Sequence, residues 1–597
     1  MKSAKKRVEI PEKFKWKLED IYRSVEEWNN DVEKLKNLLP KMRVFSGTLA
    51  TAAKLKECFV LGDEIGLLIE KLYVYAYLKH HEDTTIAAHQ ALINTISPLS
   101  VEVSEATSFI EPELLALPEE TLRGFVDDPL LSFYKFTLDN VLRQKPHTLP
   151  KEQQALLAKA GIMAEAPQTI YEMLNDADMK FPSIKDVSGA EIEITHARYS
   201  RFLESRDRRV RRDAFQAMFS SYRKQQNTIA SIYTAQVRKD LFYSRVLNFD
   251  SSLSMALFDD NIPRSVYENL IDTVHNHLPS FHRYLNLRKK LLGLDELRLY
   301  DLNVPIVADF DWKVPFEEAT AIVTDAIAPL GDAYREIVKQ AWKARWIDVY
   351  ENEGKHSGGY SWSVYRVHPY ILLNHEDTVH DLFTIAHEMG HAVHSWLSHR
   401  TQEFRYAHYT IFVAEIASTL NEMLLMNHLL RTTTDPKKKA YLLTHYADNF
   451  RGTLFVQTLF AEFEKIVHEL AEQSVPVTLE KLNEIFYSLH EKYYAPAVTL
   501  DKEIEIGWMR IPHFYTSFYV YKYATGFSAA NSFGHRILND GAAASGRYLK
   551  LLESGGKDYP LNLLSAAGLD MRTPAPIVEA LKLFDGVVDQ LGNLLNI

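Results

Sequence analysis

The chain of 597 residues holds a single cysteine, Cys58. No disulfide can close within it, and a reducing compartment is expected. Glycine and proline are sparse, at 23 each, which leaves room for long helices. Positive charge is in deficit, with 68 Lys and Arg against 79 Asp and Glu for a net charge of −11. That balance argues against nucleic acid or an anionic membrane as the main partner. The one strongly basic run, residues 206–212, reads as a solvated helix face. No apolar stretch follows the basic start, so no secretory signal is expected. The aromatic stretch 512–533 is broken by Lys522 and polar residues, which excludes a membrane span. Neither an internal repeat nor a low-complexity tract is visible, against a solenoid. A hydrophobic share of 46% and a charged share of 25% are those of a globular protein. The expectation is a soluble, cytoplasmic, monomeric protein with more than one domain.

Helical periodicity is the commonest pattern present. Leu18, Ile21, Tyr22, Val25, Trp28, Val32, Leu35 and Leu39 repeat at three or four residues and predict an amphipathic helix. Similar patterns fill the first third and recur from Pro315 to Trp342. Residues 143–150 read as a turn between helical blocks, and 181–195 as a small hairpin at a domain edge near residue 200. Short aromatic or β-branched runs at 346–350, 360–365 and 370–373, separated by Gly or Pro, predict a small sheet. An edge strand of such a sheet can pair with an extended peptide, and the glycines of 355–359 would let backbone approach it closely.

The sheet leads into HEMGH at 387–391. On a helix His387 and His391, four apart, point the same way and supply half of a tetrahedral zinc shell. Glu388, about 100° round the helix, flanks the metal and reaches its bound water. A chance match would occur in about one chain in fifteen of this composition, so context must decide. Val379, Leu382, Phe383, Ala386, Met389, Val393, Trp396 and Leu397 make the helix a buried one, with His380, His387, His391 and His394 along its other edge. Buried histidines need partners. Gly390, costly in mid-helix, predicts close approach of another backbone.

A catalytic zinc site needs a third protein ligand. A metzincin would carry Gly at 394 and His at 397, where this chain has His394 and Leu397. A glutamate about twenty residues beyond the second histidine would fall at Thr410 or Ile411. The next candidate is Glu415, on a predicted helix whose apolar face is Phe412, Ile416, Leu420, Met423 and Leu424. Glu422 and Ser418 share its polar face. Zinc would compensate Glu415, and a ligand imidazole N–H would compensate Glu422. Glu403, Glu422 and His394 remain within reach as alternatives.

HEMGHAVHS at 387–395, AEIASTLNE at 414–422, GGYSW at 358–362, HPYILLN at 368–374 and the aromatic segment 512–526 together resemble oligoendopeptidase F, of the thimet-oligopeptidase-like zinc metallopeptidases. The resemblance spans most of the chain and is strongest from 346 to 533. It implies one Zn2+ per chain, held by His387, His391 and Glu415, with Glu388 as general base and Glu422 orienting a ligand. It implies a mainly α, multi-helix thimet-oligopeptidase-like fold with a small β-sheet beside the zinc helix and a deep substrate channel. An N-terminal helical domain, 1–200, would cover a catalytic domain, 201–597. Gly358, Gly359 and Tyr360 would bind substrate. His513, Tyr515 and Tyr521 align with the family's histidine-tyrosine motif. Tyr521 is favoured as oxyanion donor, Tyr515 is next, and Tyr519 and Tyr523 compete because the spacing from the histidine is shorter here.

The implied function is endopeptidase action on short peptides. An aminopeptidase would need carboxylates to bind a substrate α-amine, and no motif for them is visible. A helical scaffold with a dead metal motif would not need all four of His387, Glu388, His391 and Glu415.

Overall fold

The computed structural model describes residues 5–307 and 312–595, so the first four residues of the basic start lie outside the described residues. The chain forms two compact units, each drawn from three separated stretches. One comprises Met1–Glu152, Trp312–His428 and Phe533–Gly568; the other comprises Gln153–Asp311, Leu429–Ser532 and Leu569–Ile597. The expected edge near residue 200 falls inside the second unit. The fold is mainly α with small sheets, as expected. Five short strands occur among the described residues: β1 (Ser183–Lys185), β2 (Glu191–Glu193), β3 (Ile347–Asp348), β4 (Tyr360–Ser363) and β5 (Pro369–Leu372). The first two form the expected hairpin, and the other three form one sheet in the order β3-β5-β4. No helix among the described residues is long and apolar enough to cross a membrane.

In the first unit, helices Val25–Arg43, Ala52–Glu82 and Ala87–Thr107 bury a shared core around Trp16, Trp28, Leu35 and Leu72. The periodicity beginning at Leu18 overstated the first helix. Leu18, Ile21 and Tyr22 are buried, yet they precede it, because the Ser24 hydroxyl accepts the Glu27 N–H and starts the helix at Val25. The pattern from Pro315 to Trp342 likewise divides into Phe316–Ala326 and Asp332–Lys343, parted at Gly331, whose φ of 92° ends the run. Cys58 sits in this core with its sulfur 3.8 Å from that of Met42.

The sheet of the first unit is tied together by charge. Asp348 of β3 is buried, with Lys355 Nζ 2.7 Å and Arg7 Nη2 2.6 Å from its carboxylate. Lys355 also donates to the Tyr350 and Leu373 carbonyls at 2.7 and 2.6 Å. Arg7 reaches on to Glu82, at the end of Ala52–Glu82, at 3.0 Å. Burial works against a charged Asp348, but Lys355 and Arg7 outweigh it and hold the acid below its usual range. Burial pulls the Lys355 ammonium down despite Asp348. The segment leading to β4 is therefore fixed by a cation with no exposed surface.

The second unit corrects one reading. The basic run is solvated only in part: Arg206 and Arg212 are exposed, but Arg211 is buried with its Nη2 2.6 Å from Asp301, and Arg208 pairs with the same carboxylate at 2.9 Å. Asp301, 90 residues further on, was the partner that a local reading could not supply.

Lys355→Met should remove the buried partner of Asp348. The expected loss is about 3 kcal/mol of unfolding free energy, the lower end for a broken buried pair because Arg7 remains. Denaturant unfolding measures it, and a loss under about 1 kcal/mol would show the pair to be incidental.

Candidate metal centre

The motif helix Val379–Thr401 begins with a reciprocal cap. Thr378 Oγ1 accepts the Asp381 N–H at 3.1 Å, and Asp381 Oδ2 accepts the Thr378 N–H at 2.9 Å. That cap sets the turn on which the apolar residues face inward and His387 and His391 face across to helix Ile411–Thr432. Gly390 lies against the backbone of this second helix: a Cβ there would stand 2.5 Å from the Ala417 oxygen and 2.6 Å from the Ser418 Cα. Asn421, buried, donates to the Ala386 carbonyl at 3.1 Å and accepts from Tyr334 at 3.0 Å, locking the crossing.

The crossing brings three donors together. His387 Nε2 is 3.4 Å and His391 Nε2 3.6 Å from Glu415 Oε2. Among the described residues this trio is the one group of three or more ligand-type side chains converging at metal-binding range. Tetrahedral zinc with bonds of 2.0–2.1 Å requires donors about 3.3–3.4 Å apart, so the spacing fits. Each donor is oriented from outside the trio. His387 Nδ1 is 2.5 Å from Glu422 Oε1, His391 is hydrogen-bonded to the Ala414 carbonyl, and Ser418 Oγ donates to Glu415 Oε2 at 3.0 Å. A ligand imidazole held by a carboxylate or carbonyl is the usual support of a metal site.

The electrostatics say the same. Burial opposes charge on His387, yet its hydrogen bond to the Glu422 carboxylate and the charges of Glu422, Glu388 and Glu415 lift it to about 9. His391 is lowered to about 4 by burial and by His387. Glu388 is pushed up to about 7, chiefly by burial, with Glu415 and Glu422 adding to it. Three carboxylates share two imidazoles, so the cluster is short of positive charge.

Glu388 has a further partner. The Ser361 N–H of β4 donates to it, which aligns the strand with the motif. β4 is an edge strand, with Tyr360 opposite Leu372 and Trp362 opposite Tyr370 on β5. Gly359 lies against the motif helix, where a Cβ would come within 3.3 Å of Thr384, and Gly358 turns at φ 87°. The Tyr360 hydroxyl is 2.7 Å from His81 Nδ1.

The other candidates lie outside the trio. His394 is buried with its ring stacked on Tyr409 at 3.5 Å, His380 is exposed, and Glu403 is exposed beside Arg366 at 3.5 Å. His387, Glu388, His391, Glu415, Glu422, Gly358, Gly359 and Tyr360 all belong to the first unit. His513, Tyr515 and Tyr521 belong to the second. There Tyr515 and Tyr521 are buried, Tyr515 stacked on Tyr171 at 4.2 Å and Tyr521 packed on Tyr267 at 5.0 Å. His513 is exposed and lies 3.4 Å from the Tyr523 hydroxyl, with Tyr519 6.2 Å away ring to ring.

The profile of peptidase family M3 matches residues 201–583, and that of oligopeptidase F matches residues 113–181. The chain belongs to peptidase family M3. It is a metallopeptidase, an enzyme that hydrolyses peptide bonds. Oligopeptidase PepF of Bacillus subtilis is 41% identical over 99% of this chain and 88% of its own length. The crystal structure of oligoendopeptidase-F from Enterococcus faecium is 36% identical with a TM-score of 0.74, covering 96% of this chain and 99% of that one. A solved chain from Chlamydophila abortus is 35% identical with a TM-score of 0.95, covering 99% and 100%. The M3 profile contains the whole donor cluster and the 512–526 segment.

Gly390→Ala should force the two helices apart. A cost of about 1–3 kcal/mol is expected for overpacking, together with weaker binding of a divalent metal, because the donor spacing depends on the same contact. Denaturant unfolding and metal titration measure the two. Wild-type values in both would show that the crossing has slack.

Proposed function

We propose that this M3 peptidase is a zinc endopeptidase cleaving internal bonds of short peptides, with Glu388 as general base. The observation that carries the reading is the trio His387, His391 and Glu415 at zinc spacing, with Glu388 joined to the edge strand β4. A zinc ion held by the trio would polarise the scissile carbonyl and acidify a water. Glu388 takes the proton of the attacking water and passes it to the leaving amine. Burial lifts its carboxyl above the usual range, which suits a group that accepts and returns a proton.

An extended peptide laid along the free edge of β4 pairs through main-chain hydrogen bonds. Ser361, whose N–H already points to Glu388, brings that ladder to the base. Main-chain pairing requires an unfolded segment, and the names of the relatives, oligopeptidase and oligoendopeptidase, support short peptides as substrates. The lone buried cysteine suits the reducing cytoplasm. A second donor is needed for the oxygen that gains charge as the carbonyl is attacked.

Glu415→Ala should lose stoichiometric zinc while His394→Ala keeps it, read by elemental analysis of the purified protein. The reverse result would move the third ligand to His394. Glu388→Gln should retain the metal while kcat on an end-blocked, internally quenched peptide falls ~10²–10⁴-fold. Near-normal turnover would remove Glu388 from the mechanism. Activity on peptides with a free amine alone would favour an aminopeptidase.

A further inference from the structure

Hydrogen bonding across the sheet of the first unit fixes which way each residue of β4 faces. The Ile371 N–H of β5 donates to the Trp346 carbonyl at 2.9 Å, on the β3 side, so the peptide groups of Tyr370 and Leu372 turn to β4. Their partners Trp362 and Tyr360 therefore turn their peptide groups inward, and Ser361 between them turns its own to the free edge. The Ser361 N–H on Glu388 agrees with this register. Side chains alternate accordingly. Gly359 and Ser361 share the face toward the motif helix, where Gly359 meets Thr384. Tyr360 and Trp362 share the opposite face, toward helix Ala52–Glu82.

On that opposite face the cover thins toward the edge. Tyr370 and Leu372 of β5 have no exposed surface, being enclosed in the core built with the helix. One strand further out, Tyr360 and Trp362 are only half-buried. Tyr73 and Tyr77, one turn apart on the helix, stack at 4.3 Å, and the Trp362 ring lies 6.0 Å from each. Both tyrosines are likewise half-buried. Aromatic rings thus stand side by side, with surface left over, along the strand edge that reaches the base. The carboxylate of Glu70, one turn before Tyr73, is engaged elsewhere: it accepts the Tyr365 N–H at 2.7 Å and faces His408 Nε2 at 2.8 Å.

We infer that Tyr73, Tyr77 and Trp362 form a subsite for a large apolar side chain of the peptide and so determine specificity. This rests on the reading of β4 as the strand on which the substrate is laid. Side chains opposite one another on paired strands share a face. The substrate residue opposite Ser361 therefore points toward the motif helix, while its two neighbours, opposite Tyr360 and Trp362, point toward the aromatic rings. A ring laid on such a wall buries apolar area and gains ring contacts, whereas a carboxylate would lose water there without finding a partner. Main-chain pairing holds any sequence, and pockets for alternate side chains supply the preference.

The test uses the full, metal-loaded chain and a series of end-blocked, internally quenched peptides that carry Phe, Gly or Glu at one varied position. Wild type should favour Phe over Gly by about tenfold or more in kcat/KM at two positions spaced two residues apart. Tyr73→Ala and Tyr77→Ala should each bring that ratio to within about threefold of unity. Tyr77→Lys should raise the Glu-to-Phe ratio by about tenfold, a change of preference that a folding defect does not produce. An N-methyl scan of the Phe peptide tests the pairing separately, since only alternate N–H groups of a paired strand face its neighbour. Sensitivity that does not alternate means that the peptide is not laid on β4, and the inference falls with that reading. If sensitivity alternates while wild type cleaves Phe and Gly peptides equally, the reading stands and the inference is overturned. The same holds if Tyr73→Ala and Tyr77→Ala keep the wild-type ratio. Should an alanine variant fail to fold, Tyr77→Lys decides, and an unchanged Glu-to-Phe ratio overturns the subsite.

Discussion

The contact of two helix backbones at Gly390 is the constraint on which the metal centre depends. With no side chain between them, the motif helix and Ile411–Thr432 cross so closely that the Ala417 oxygen occupies the space of a Cβ. The approach brings Glu415 within 3.4 and 3.6 Å of the two imidazoles and Glu422 within 2.5 Å of His387. A mid-helix glycine costs about 1 kcal/mol in helix propensity, an expense offset by close packing and by the Asn421 hydrogen bonds across the crossing. The strand enters the same arrangement through Ser361 and Gly359, so base, donors and edge strand share one reference frame.

Two acidic clusters in the first unit behave differently, and the difference separates framework from chemistry. Asp348 is answered in full by Lys355 and Arg7 and titrates below its ordinary range. Around His387 and His391 the carboxylates outnumber the available cations, so one imidazole is driven up, the other down, and Glu388 is held near neutrality. Perturbation in both directions within one cluster is typical of sites built for a ligand or a proton. A divalent cation would relieve the imbalance and, by binding the folded chain alone, would add to its stability.

Much of this was legible in the sequence because it is local. The spacing of His387 and His391, the seven-residue interval from Glu415 to Glu422, the three strand segments before the motif and the need for Gly390 all follow from helix or strand periodicity, and the structure bears each geometry out. What periodicity does not report is which polar side chains turn inward. Arg211 is buried because Asp301 waits 90 residues away, Lys355 because Asp348 and two carbonyls enclose it, and Asn421 because it bridges two helices. The same blindness affected the tyrosines. Residues 515 to 523 read as one aromatic run, while the left-handed turn at Phe518 separates buried members from presented ones. Helix starts failed for a related reason: Leu18, Ile21 and Tyr22 keep helical spacing, but Ser24 caps the helix after them.

Cys58, buried in the first unit with its thiol pushed up to about 11 by burial and by Glu113, carries little thiolate at neutral pH. Maleimide and disulfide reagents require the thiolate and access to it. The natural chain is therefore chemically silent to them, and a cysteine introduced at an exposed position becomes a unique attachment point for a fluorophore or spin label. Distances between such labels and a bound metal ion become measurable without first removing any native residue.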